Sequence, residues 1–131
     1  MAIKFNYQRI LNNLIARHFP NLLVWKIKII EKKIEYKAMV KSYPWGNFIF
    51  VNPKVRKNYS INPLKALFLH ELCHFEIFRK NGWGWIRINW DYLHYILSKE
   101  YNESVEAEVG KMVIKKGYKK QRDLSHKIKL R

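Results

Sequence analysis

Apolar residues recur at three- and four-residue intervals through residues 3 to 18, at Ile3, Tyr7, Ile10, Leu11, Leu14 and Ile15, which is the period of an amphipathic helix. Pro20 ends it. From Leu22 the pattern changes to alternation, with Leu23, Trp25, Ile27 and Ile29 set against Lys26 and Lys28. Ile34, Tyr36, Ala38 and Val40 continue it after the polar Glu31-Lys32-Lys33, so the two runs predict a β-hairpin. Tyr43-Pro44-Trp45-Gly46-Asn47 is a turn signal, and Phe48 to Val51 is a short third strand closed by Asn52-Pro53. A three-stranded antiparallel sheet is expected.

Asn62 before Pro63 signals a helix start and Asn81-Gly82 a stop, which predicts one helix from about residue 63 to residue 80. Gly82-Trp83-Gly84-Trp85 then reads as loop, Trp90 to Lys99 as a shorter helix, and Glu103 to Lys116 as another that ends near Gly117. Beyond Lys119 no period is visible. The expected fold class is α+β, a small antiparallel three-stranded sheet packed on a central helix, a glutamate-bearing helix and an N-terminal helix. Residues 1–118 form a single domain in this reading, and residues 119–131 a basic C-terminal tail.

Composition narrows the class. With 131 residues, 48% of them hydrophobic and 15% aromatic, the chain suffices for one compact core and not for two. Its one cysteine excludes an internal disulfide. No uninterrupted apolar run approaches 18 residues and no basic-apolar-small leader opens the chain, so no membrane span and a cytoplasmic location are expected. The formal charge of +16 raises nucleic acid or acidic partners without assigning a function. Much of it sits late, where Lys111, Lys115, Lys116, Lys119, Lys120, Arg122, Lys127, Lys129 and Arg131 face only Asp123 beyond Glu108. Those residues read as a solvated helix face running into the tail.

The chemistry lies in the middle of the predicted central helix. His70-Glu71-Leu72-Cys73-His74 is an HExxH pattern, and its four-residue spacing brings both imidazoles to one helix face, where they can chelate one Zn²⁺. Glu71 projects beside that ion, placed to take a proton from a metal-bound water. Cys73 lies about 100° of helical turn from each neighbour and reads as a small core residue. A catalytic zinc takes three protein ligands and keeps a position for water, so a third ligand must come from elsewhere. Asn102 to Gly110 carries three candidates, Glu103, Glu106 and Glu108.

HExxH followed by a glutamate on a second helix resembles the ligand set of the gluzincin metallopeptidases. Thermolysin-like members carry the third ligand in an NExxSD segment, and Asn102-Glu103 matches its first two residues, Val105 and Val109 its apolar positions, and Gly110 the glycine seven residues after the ligand. That register implies Glu103 as the ligand, although Ala107 stands where the family has an aspartate. Glu106 is the alternative, since it lies nearer the stripe of Val105, Val109 and Val113. An ExxAD register, as in Ste-type and HtpX-type peptidases, would put Ser104 at the ligand position, and a neutral hydroxyl is a poor zinc ligand beside two carboxylates.

From about Leu22 to Tyr118 the layout is similar to a minigluzincin, a small soluble version of the gluzincin core. The resemblance implies a zinc-dependent endopeptidase acting on peptides or unfolded proteins, with a strand drawn from Trp45 to Val51 pairing with the extended substrate. Glu71 is then the general base, and Tyr92, His94, Tyr95 and Tyr101 are candidate oxyanion donors. So short a chain leaves little material to wall the cleft, which is then open, completed by a second copy in a homo-oligomer, or blocked. The tail, with Leu124, Ile128 and Leu130, is placed to block it as an extended peptide and keep the chain latent. Two other readings compete. The HELCH pentapeptide also resembles the SprT-like DNA-associated proteases, where a histidine is the third ligand and His94 would have to serve, although it also reads as a member of an aromatic cluster. The other is a zinc-stabilised basic module that binds nucleic acid through its lysines.

Overall fold

A computed structural model of the chain describes residues 6–43, 45–80 and 99–129. Asn6 caps helix α1 (Tyr7–His18), its side-chain oxygen accepting from the Arg9 amide, and Pro20 opens a 3-10 helical turn, Pro20–Trp25. Three strands come next, β1 (Lys28–Glu31), β2 (Ala38–Tyr43) and β3 (Gly46–Val51). After the single turn α2 (Val55–Asn58) comes the long helix α3 (Ile61–Lys80). Helices α4 (Lys99–Lys115) and α5 (Lys119–Lys127) complete the described chain, separated by Gly117 at φ 90°, a left-handed conformation that favours glycine. The expected α+β class is what the structure has.

The sheet is mixed, not antiparallel. β2 and β3 form a hairpin that closes with Tyr43 opposite Gly46, while β1 lies parallel to β3 on its other side, Lys28 opposite Phe48. The hairpin expected between the runs at 22–29 and 34–40 does not form. Lys26 adopts a left-handed backbone, φ 49°, which interrupts the alternation before β1 begins. Asn52 then donates its side-chain amide to the carbonyls of Ile34 and Tyr36, at 2.8 and 3.4 Å, and holds the connection after β1 as a loop. That loop carries the chain past β3 to the far edge. Among the described strands β3 is therefore central and bonded on both sides, so the substrate edge expected at Trp45 to Val51 is already occupied. The edges are β1 and β2.

Strand alternation turns Val40, Ile49 and Val51 inward, where they join Tyr7, Leu11 and Leu14 of α1 and Leu64, Phe68, Leu72 and Phe75 of α3 in one core. Val109 and Val113 of α4 close it. α3 begins two residues before the expected start: the Leu64 amide bonds the Ser60 carbonyl, and Asn62 lies within the first turn, not at the cap. Pro63 is tolerated there because first-turn amides have no helical partner. From Ala66 to Ile77 every residue except His70 is buried, Cys73 fully so, and burial pushes its thiol up to about 12. α4 starts earlier than expected and ends at Lys115. The segment from Lys119 is a helix docked on α3 and α4 and not an extended strand. The expected stop at Asn81-Gly82, the loop at 82–85, the helix at Trp90 to Lys99 except its last residue, and the start of the first helix at Ile3 lie outside the described residues. No described helix is long and apolar enough to cross a membrane.

Tyr7 meets Phe68 edge-on with ring centroids 5.2 Å apart, and the Arg56 guanidinium lies 4.1 Å from its ring centre. Its buried hydroxyl has no hydrogen-bond partner among the described residues, and burial pushes its pKa up to about 12. Tyr7→Phe keeps the ring contacts and removes only the unpaired hydroxyl, so it is expected to leave stability unchanged or raise it by up to about 1–3 kcal/mol. Phe68→Ala is expected to lower it by about 3–5 kcal/mol. Urea unfolding of both variants beside the parent chain measures the contrast.

Candidate metal centre

A helix buried on all sides has no solvent for its polar residues, so each must find a partner. Four of them, His70, Glu71, His74 and Glu76, lie in the buried half of α3. Glu76 pairs with Arg79 one turn on. The two imidazoles sit on one face with ring centroids 5.1 Å apart, as the four-residue spacing requires. Glu106 reaches them from α4: one carboxylate oxygen is 3.3 Å from His70 Nε2 and the other 3.5 Å from His74 Nε2.

Among the described residues, His70, His74 and Glu106 form a group whose ligand atoms all lie within 4.8 Å of one another. Their spacing suits a metal. With bonds of about 2.0–2.1 Å, the ligand atoms of a tetrahedral site stand roughly 3.3–3.4 Å apart. The two nitrogen-to-oxygen separations, each to a different oxygen of the Glu106 carboxylate, lie close to that value. Ligation through Nε2 puts the proton of each neutral imidazole on Nδ1. Two histidines and one carboxylate are also a donor set that leaves a fourth position for water.

Burial alone would lower the His70 pKa, but its hydrogen bond to Glu106 and the charges of Glu71 and Glu106 outweigh burial and the opposing charge of Arg122, and its pKa is raised. Glu71 is buried and its pKa is raised by desolvation, against the pull of His70 and His74. Its carboxyl is therefore more basic than a solvated one.

The expected ligand Glu103 is exposed and does not join the group; the structure brings Glu106 to the pair instead. The reason is helix phase. Glu106 lies three and seven residues before the fully buried Val109 and Val113, so it shares their side of α4, while Glu103 is rotated about 60° further from it. Gly110, matched above to the family's glycine, faces α5. A Cβ there would stand 2.8 Å from Arg122 Nη2, so the glycine is what lets the guanidinium lie against α4.

A cavity of about 300 Å³ opens beside His70, Glu71 and Glu106. The residues leading into β2, Tyr36 to Ala38, form one wall, and Arg122, Ser125 and His126 of α5 form another. The buried Ser125 anchors α5: its carbonyl accepts from Lys37 Nζ at 2.7 Å and from the Tyr59 hydroxyl at 3.0 Å. Sequence reasoning missed Arg122, Ser125 and His126. The signal was there in the helical spacing of Tyr118, Arg122, Ser125 and Ile128, but that inner face is half polar and gives no hydrophobic period. His94, Tyr92 and Tyr95 lie outside the described residues, as does the side chain of Tyr101.

Glu106→Ala is expected to weaken divalent-metal binding at least about 100-fold, more than the loss of a supporting group does, whereas Glu103→Ala is expected to leave it unchanged. Metal content after dialysis and the rise of Tm on adding zinc read out both variants.

No family model matches the chain, and no curated protein matches it. Among solved structures, the crystal structure of the metallopeptidase zymogen of Methanocaldococcus jannaschii jannalysin is similar at 23% sequence identity, over 86% of this chain and 98% of that one, with a TM-score of 0.46.

Proposed function

We propose that the chain is a zinc-dependent metallopeptidase of gluzincin type that hydrolyses peptide bonds in peptides or unfolded proteins and is held latent by α5. The observation that carries this reading is the convergence of His70, His74 and Glu106 from two helices beside the buried carboxyl of Glu71. Zn²⁺ suits two imidazoles and a carboxylate, and bound there it would acidify water and polarise a peptide carbonyl.

The protein supplies the rest. Glu106 holds both imidazoles in position and brings a negative charge to the centre. Glu71 takes the proton of the attacking water on its carboxylate and hands it to the departing amine nitrogen, a task for which a raised pKa is suited. The substrate edge moves from β3 to β2, whose approach lines the cavity at Tyr36 to Ala38 and whose outer side has no partner strand among the described residues. An extended peptide added to that edge would run past Glu71.

α5 stands in the way of such a peptide. It borders the cavity and bonds through Ser125 to Lys37, at the start of that edge. Its Arg122 Nε is buried without a hydrogen-bond partner among the described residues, which makes the docked state less stable than a fully satisfied interface. That suits a cover that must leave.

Loosening α5 in the full chain tests the reading. The Ser125 anchor contributes three hydrogen bonds, each worth about 1 kcal/mol, so Lys37→Ala with Tyr59→Phe is expected to raise the undocked fraction, and casein cleavage in the presence of zinc, roughly 150-fold. Adding Glu71→Gln is expected to abolish that cleavage while zinc stays bound. Zinc retention with no cleavage by the loosened chain would refute the activity.

A further inference from the structure

The metal centre lies on the side of the sheet that α3 covers. The strand register puts a different set on the opposite face: Lys28 and Ile30 of β1, Phe48 and the buried Phe50 of β3, and Met39, Lys41 and Tyr43 of β2. The rings there form a continuous row. Phe50 and Phe48 are parallel within 2° at 6.1 Å, Tyr43 lies 6.0 Å from Phe48, and Trp45 stacks on Tyr43 at 4.7 Å, again within 2°. Trp45, at the end of the row, is 75% exposed.

Cations accompany the rings. Lys28 and Lys41 are the two cross-strand neighbours of Phe48, one on each side, and Lys32 Nζ stands 5.0 Å from the Phe50 ring centre. No strand residue on this face is acidic. Cross-strand aromatic pairing stabilises a hairpin and accounts for Tyr43 against Phe48. It does not account for a tryptophan left largely in water, or for lysines on both sides of a phenylalanine.

We propose that this face is a platform for single-stranded nucleic acid, with bases stacking on Trp45 and Phe48 and backbone phosphates held by Lys28 and Lys32. Rings spaced along a sheet face bind unstacked bases whatever their sequence, and flanking lysines track the backbone. A duplex hides its base faces and offers the rings nothing. The net charge of +16 draws the polyanion in from a distance. The platform and the metal centre lie on opposite faces of one sheet, so neither site excludes the other and the proposal does not rest on peptidase activity.

Fluorescence anisotropy of a labelled oligothymidylate of about 20 nucleotides, against a duplex of equal length over a range of salt concentrations, tests it on the full-length chain. The single strand is expected to bind more tightly than the duplex. Trp45→Ala is expected to weaken it roughly 5- to 150-fold with the salt dependence unchanged, and Trp45→Phe to recover most of the loss. Lys28→Ala with Lys32→Ala is expected to flatten the slope of log K against log salt by about 1.4, while the charge-matched Lys119→Ala with Lys120→Ala leaves it unaltered. Thermal unfolding verifies that each variant is folded, which the exposure of these side chains favours. Equal loss in the tail variant, indifference to Trp45→Ala, or equally tight duplex binding would reduce the interaction to diffuse charge and overturn the proposal. Loss of self-association in Trp45→Ala with oligonucleotide binding intact would make a second copy the occupant, and overturn it too.

Discussion

The structure turns on how α3 satisfies polar groups in a helix that is buried for most of its length. His74 is buried and His70 borders the cavity, and Glu76 of the same helix is engaged by Arg79. Glu106 of α4 bonds to both. Once one carboxylate must touch two imidazoles a helical turn apart, the position and rotation of α4 against α3 are narrowly set. Val109 and Val113 then fall into the core on the same side. The contacts that fix α4 on α3 thus also gather three side chains that could hold a metal ion.

The path of the chain beyond α4 depends on that placement. Gly117 reverses the chain, and α5 returns against α3 and α4 close to the cavity. Between Tyr118 and Ile128, which pack on the core at its two ends, its contacts include Ser125 on Lys37 and Tyr59, and Arg122 laid over Gly110. Leu124, its large apolar residue, points outward and is 51% exposed. An interface held by a few hydrogen bonds separates at lower cost than one held by a packed apolar seam, so the polarity of this helix bears directly on its proposed role as a removable cover.

Strand order gives the sheet two chemically different faces. Because β1 bypasses β2 and pairs with β3, the aromatic strand is central and its two phenylalanines lie between neighbours on both sides. Had the simpler hairpin formed, with β3 at an edge, Phe48 would have had lysine on one side only. The parallel pairing is what assembles the aromatic and basic face, and it also leaves β2 as the edge beside the cavity.

Several features are legible in the amino-acid sequence alone. The HExxH spacing, the apolar run around it, the core position of Cys73, the first helix and the β2–β3 turn are all patterns within a few residues, set by the 3.6- and 2-residue periods of the backbone. The partner of β1 was not legible, because alternation specifies which side chains face inward and is silent about which strand lies alongside; Asn52, some twenty residues on, decided it. The carboxylate that meets the histidine pair was half legible: the apolar stripe of α4 favoured Glu106 and the family motif favoured Glu103, and the rotation of α4 packed on α3 brings Glu106 to the pair. The helix at Lys119–Lys127 was hidden, since its inner face bonds through polar atoms to Lys37 and Tyr59, more than sixty residues earlier, and a hydrophobic period records burial by apolar contact alone.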